Sequence, residues 1–194
     1  NGWVNKIGLR NKGIDFAIDK YKNSWFPFYR NSVISIAILD ETEIDKFVEK
    51  IPPEMSLEIN VSCPNVGHDL VCKKIGKFLN PERKWCSIKL GPKTTPQQIE
   101  QYYNEGFRTF HCSNTLPVKD GGLSGPSLIP YTTNLTKHIT DKYPDATVIS
   151  GGGIQNIETA QNYKNMGANH VSVSSLCFHP WKFVCFYSLY SYYY

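Results

Sequence analysis

The 194-residue chain has no run of lysine and arginine, and no apolar stretch long enough to cross a bilayer. The first absence, with a net charge of only +4, removes the basic stripe that a nucleic-acid-binding surface needs. The second gives no reason to expect a membrane partner. No secretory leader opens the chain, and the six cysteines lack both the paired spacing of a zinc site and an obvious disulfide framework. No cysteine cluster suited to an iron–sulfur centre occurs either. A reducing cytoplasm is the setting that fits free thiols of this kind.

What the chain does have is a regular alternation of strand and helix patterns. With 41% hydrophobic residues, one globular domain is expected. Strand-like runs are read at Val33–Leu39, Leu57–Val61, Cys86–Leu90, Phe107–Cys112, Thr147–Ser150 and His170–Val173. Helical spacing is read at Glu41–Lys50, Asp69–Leu79, Thr95–Asn104, Ser127–Tyr143 and Asn156–Met166. Thr95-Pro96 supplies an N-cap followed by proline at the first helical position, and Gly106 and Gly167 stop two of the helices. Alternation of this kind implies a parallel sheet. Apolar strands that end in polar or glycine-rich loops point to a (β/α) barrel with its site at the C-terminal face; an open doubly wound sheet is the alternative.

The chemistry-bearing residues gather at those strand ends. Leu57-Glu58-Ile59 runs into Asn60-Val61-Ser62-Cys63-Pro64-Asn65, which places two amides, a hydroxyl and a thiol on one turn. Pro64 enforces the turn, because it lacks an N–H and has a fixed φ. Lys89 lies near the end of the next apolar strand, before Gly91-Pro92. Asn114-Thr115 follows the third, and the runs Gly121 to Gly125, Ser150 to Gly153 and Ser172 to Ser175 complete the series.

In this order and spacing, these motifs resemble the dihydroorotate dehydrogenase family over Asn5 to about Pro180. The resemblance implies an α/β fold of the TIM (β/α)8 type. Six β/α units are visible, so the barrel is expected to be incomplete, with the first two strands and the family's opening flavin lysine missing. It further implies an FMN-dependent oxidation of dihydroorotate to orotate in pyrimidine biosynthesis. Cys63 would be the general base for the C5 proton, as in the soluble, cysteine-base classes; an unperturbed thiol titrates near ~8.5, close enough to neutrality to act once positioned.

The same resemblance assigns the substrate clamp to Asn5, Asn60, Asn65 and Asn114, with Thr115 and the loop residues Ile7, Gly8 and Leu9. Amides suit this work because orotate carries carbonyls, ring N–H groups and a carboxylate, and asparagine offers both donor and acceptor. Cofactor contacts fall to Asn60, Lys89, Ser124, Gly125, Gly152, Gly153, Ser174 and Ser175. Lys89 supplies a fixed cation beside the ring, and a lysine in an apolar strand needs a partner, because an unpaired buried charge is costly. The glycine loops supply backbone donors to a phosphate. Implied partners are the small-molecule substrate, fumarate or an iron–sulfur flavoprotein subunit as electron acceptor, and a second copy in a homodimer.

Two departures from the family pattern are evident. The Asn114–Gly121 segment is short, so any local lid would differ. The end of the chain is crowded with tyrosine and phenylalanine where the family has an amphipathic helix with charged residues. The chain is therefore divided into a barrel part, 1–182, and an aromatic tail, 183–194, of the kind a frameshift or gene-model error would produce, with a partner surface as the alternative. A helix there would expose aromatic surface. The rival functions are a flavin pyrimidine oxidoreductase similar to dihydropyrimidine dehydrogenase, whose substrate lacks the carboxylate, and an inactive fragment.

Overall fold

The structure is a computed structural model that describes residues 2–8, 10–23, 32–38, 40–61 and 74–193. Its centre is a sheet of six parallel strands: β2 (Ile34–Ala37), β3 (Leu57–Asn60), β4 (Cys86–Leu90), β5 (Thr109–Cys112), β8 (Thr147–Gly151) and β9 (His170–Ser172), hydrogen-bonded in that order. Each corresponds to one of the six runs expected from the sequence. Among the described residues the sheet stays open, with β2 and β9 at its edges. This is the architecture of an incomplete barrel.

Side chains alternate across a strand, so each strand sends one set to each face. Leu57, Ile59, Ile88, Leu90, Phe110, Cys112 and Val148 form the outer set and are buried. They pack with Ile44 of α2 (Ile44–Lys50), Ile99 and Tyr102 of α3 (Pro96–Asn104), and Leu135 and Ile139 of α4 (Ile129–Lys142) in one continuous core. The parallel register matches this face strand by strand, pairing Leu57 with Cys86, Ile88 with Phe110 and Phe110 with Val148. The opposite face carries Ser35, Glu58, Asn60, Lys89 and His111.

Helix boundaries follow from local chemistry. Thr95 caps α3 with a reciprocal capping box: its hydroxyl accepts from the Gln98 N–H, and the Gln98 side chain accepts from the Thr95 N–H at 2.7 Å. Asn156 caps α5 (Ile157–Asn165) by accepting from the Thr159 N–H at 3.0 Å. The helix expected over Ser127–Tyr143 begins as a 3-10 turn at Pro126–Leu128 and becomes α4. Of the helix expected over Asp69–Leu79, the described end is a 3-10 turn at Ile75–Phe78; the rest lies outside the described residues.

Two features were not expected. Gly13–Asn23 forms a helix, α1. The short segment after Asn114 opens a hairpin of β6 (Leu116–Val118) and β7 (Gly121–Ser124), and β7 also pairs antiparallel with β1 (Trp3–Asn5). The approach is close: a Cβ at Gly121 would sit 2.0 Å from the Asn5 carbonyl oxygen, and its φ is +132°, so only glycine fits. At the end of the chain, α6 (Pro180–Tyr193) docks through Phe183, Phe186 and Tyr190 into a second cluster with Ile154, Ala160, Tyr163 and Leu176. Trp181, Val184 and Tyr187 on its other side are exposed, as expected of a helix without a polar face.

Candidate active site

A cleft opens where the strands end. It is lined by Lys89, His111, Ser113, Asn114, Thr115, Ser124, Gly125, Leu128, the Gly151–Ile154 loop and the Ser172–Ser175 turn. Residues read separately between Lys89 and Ser175 thus meet in one place. The structure brings together Lys89, Asn114, Thr115, Ser124, Gly125, Gly152, Gly153, Ser174 and Ser175. Asn60 joins them indirectly: its side-chain oxygen accepts from the Asn114 amide at 3.2 Å. Asn114 is fixed in turn, its own carbonyl accepting from the Thr115 N–H at 2.8 Å.

Other expected residues stand apart. Asn5 ends β1, and its amide donates to the Gly122 carbonyl at 3.4 Å; Ile7 and Gly8 follow it in exposed chain. None of the three lines the cleft. Cys63, Asn65 and Leu9 lie outside the described residues.

The glycine loop after β8 is shaped by packing as well as by backbone freedom. Gly152 and Gly153 have φ of +94° and +76°, and a Cβ on Gly153 would meet the Ile129 side chain at 2.5 Å. Two hydrogen bonds hold the loop from behind. The Gly151 carbonyl accepts from the Thr132 hydroxyl at 2.8 Å, and the Gly152 carbonyl accepts from the Tyr163 hydroxyl at 2.9 Å. In a planar trans peptide the N–H points opposite the C=O. With these carbonyls turned back toward the helices, the N–H groups of Gly152 and Gly153 are directed away from them, on the cleft side. Successive N–H groups so arranged attract an anion. Burial pushes the Tyr163 phenol up to about 12, which keeps it a donor.

The floor of the cleft holds a polar cluster that the sequence reading overlooked. The Glu58 carboxylate reaches the His111 Nδ1 at 2.6 Å with one oxygen, and with the other reaches Lys89 Nζ at 3.4 Å and accepts from the Ser35 hydroxyl at 2.9 Å. Desolvation is the largest single influence on Glu58 and would raise its pKa. The hydrogen bond from His111, the charges of Lys89 and His111, and the Ser35 hydroxyl together outweigh it and hold the carboxyl down to about 2. An ionised carboxylate can only accept, so Nδ1 of His111 carries the hydrogen between them. The signal was available: a charge inside an apolar strand drew attention to Lys89, and Leu57-Glu58-Ile59 presents the same anomaly one strand earlier.

No protein-family model matches the chain. It is 28% identical over 206 aligned residues to the catalytic subunit of dihydroorotate dehydrogenase B (NAD(+)) from Staphylococcus carnosus, covering 92% of this chain and 67% of that protein. It is 26% identical to the protein of the same name from Thermotoga maritima, covering 90% of this chain and 72% of that one. Among solved structures, a dihydroorotate dehydrogenase from Eimeria tenella in complex with ferulenol superposes with a TM-score of 0.68 at 17% identity, over 90% of this chain and 62% of that one. The ligand-free type from the same organism gives 0.63, over 88% and 60%. The chain thus spans about two thirds of the curated relatives and somewhat less of the solved ones. Along nine-tenths of its length the chain is similar in sequence to dihydroorotate dehydrogenases, and it shares the architecture of the solved ones.

Proposed function

We propose that the chain carries out the FMN-dependent oxidation of dihydroorotate to orotate in pyrimidine biosynthesis. The observation that carries this reading is the convergence, in one cleft, of a lysine, a pair of linked asparagines and glycine loops with their carbonyls tied back. Those residues suit a ring that bears a phosphate. Gly152 and Gly153, with Gly125, Ser124 and the Ser174-Ser175 turn, would hold the phosphate through backbone and hydroxyl donors. Lys89 would place a cation against the electron-rich edge of the ring.

FMN, when bound, would accept the hydride that leaves C6 of dihydroorotate. The chain's own residues would do the rest. Cys63, which follows β3 in sequence, would take the C5 proton onto its sulfur as a thiolate. Asn60 and Asn114, with Asn65, would bind the substrate's carbonyls and carboxylate. The electron acceptor is fumarate or an iron–sulfur flavoprotein subunit; relatives named for NAD(+) fit the second. A cytoplasmic setting goes with this reading. The four described cysteines are free thiols, and no described helix is long and apolar enough to cross a membrane.

The test is the visible absorption spectrum of the purified chain before and after anaerobic dihydroorotate. A flavin band that bleaches is expected. A chain that takes up no FMN would sink the proposal in favour of a non-catalytic remnant, and bleaching by dihydrouracil in preference to dihydroorotate would redirect it to the carboxylate-free substrate. Cys63→Ala should abolish bleaching while flavin stays bound; unchanged turnover would remove Cys63 as the base.

A further inference from the structure

We infer that Glu58 is a positioning residue that fixes Lys89 from behind, so that the cleft presents one ammonium in one place. Among the described residues no acidic side chain lines the cleft itself, whereas Lys89 and His111 both do. Glu58 sits behind them with its side chain only 12% exposed, and it divides its two oxygens between them. Ser35, in register with Glu58 on the neighbouring strand, restrains the carboxylate from its far side. Lys89 and His111 are themselves register partners on β4 and β5. One carboxylate thus spans three adjacent strands besides its own.

The physical need is plain. A lysine side chain has four rotatable bonds and a compact, mobile charge. In a cleft floor of low dielectric it will hold that charge in a fixed place only if an anion balances it. His111 serves the same end. By donating from Nδ1 to one oxygen, it fixes the carboxylate plane and leaves the other oxygen for Lys89. Glu58 therefore acts through Lys89 and touches no ligand.

The FMN arm of the test rests on the flavin reading given above; the labelling arm does not. In the full chain, Lys89 is labelled with an amine-specific reagent and its rate is read by peptide mass spectrometry, with the exposed Lys119 as internal reference. FMN affinity is measured by fluorescence quenching. An amine held against a carboxylate is shielded from such reagents on that side. Glu58→Gln should therefore speed Lys89 labelling about tenfold, leave Lys119 unchanged, and weaken FMN binding about tenfold. Glu58→Asp, which keeps the charge one methylene further away, should fall between, and it carries the test if the glutamine variant does not fold.

Wild-type labelling and wild-type FMN affinity in a folded variant would overturn the inference and leave the proposed function standing. A wild-type chain that binds no FMN would defeat the flavin reading, while the labelling rates would still decide whether Glu58 holds Lys89.

Discussion

The two faces of the parallel sheet are built from alternate residues of the same strands, yet they obey different rules. The outer face, Leu57, Ile59, Ile88, Leu90, Phe110 and Val148, is apolar and fully covered by helices. The inner face, Ser35, Glu58, Asn60, Lys89 and His111, is polar and satisfied by pairing. The outer face stabilises the fold by removing apolar area from water, which tolerates rough equivalence of shape. The inner face gains its order from a few directed contacts, each of which leaves a buried polar group stranded if its partner is removed. The apolar core therefore lies on one face and the candidate site on the other, one residue apart in sequence.

The contrast can be broken at its strongest point first. Phe110 is completely buried on the outer face. Phe110→Ala should cost about 3–5 kcal/mol in urea denaturation, from lost transfer energy and the cavity left behind; a loss below about 1 kcal/mol would mean that the helices do not pack as described.

The inner face is sharpened by pH. Glu58 is depressed from 4.5 to about 2 in the folded state, so its contribution is fully present above about pH 4.5 and is lost as pH falls through about 2. That difference is at most about 3 kcal/mol. Stability of the wild type should fall more steeply across that window than stability of Glu58→Gln. Parallel curves would show that the carboxylate is not held down by its neighbours.

Smaller effects are expected where a single hydrogen bond or no contact is at stake. Tyr163→Phe removes the donor to the Gly152 carbonyl and should cost about 1 kcal/mol, with weaker binding of phosphate-bearing ligands as the more telling readout. Trp181, at 84% exposure on α6, is as large an aromatic as any in the core but is covered by none of the described residues. Trp181→Ala should change stability by no more than about 0.5 kcal/mol. A larger loss would assign that face a packing role.

Much of this arrangement was legible beforehand. Each run read as a strand became one, because a short apolar segment ended by glycine, proline or asparagine has few other stable forms beside helical neighbours. Lys89 was found because its charge interrupts an apolar strand, and that rule correctly demanded a partner. The partner's identity was not legible. Glu58 is 31 positions earlier and meets Lys89 only because β3 and β4 pair in parallel with Asn60 opposite Lys89. His111 escaped notice because a lone histidine in an apolar run has no local signature. The β6–β7 hairpin was missed because Gly121-Gly122 contributes no β propensity; its strands exist through pairing with β1.

By itself the sequence determined the alternation of strands and helices, the apolar face that each presents, the caps and stops of the helices, and the order of the motifs that mark the family. These depend on residues within a few positions of one another, through dihedral preference, hydrophobic period and local hydrogen bonds. The tertiary structure alone decided which residues share the cleft, that Glu58 joins Lys89 to His111, and that the glycine loop is held from behind by Thr132 and Tyr163. Those are contacts between strands and helices far apart in the chain, and their energies depend on distance and burial, which exist only once the sheet has formed.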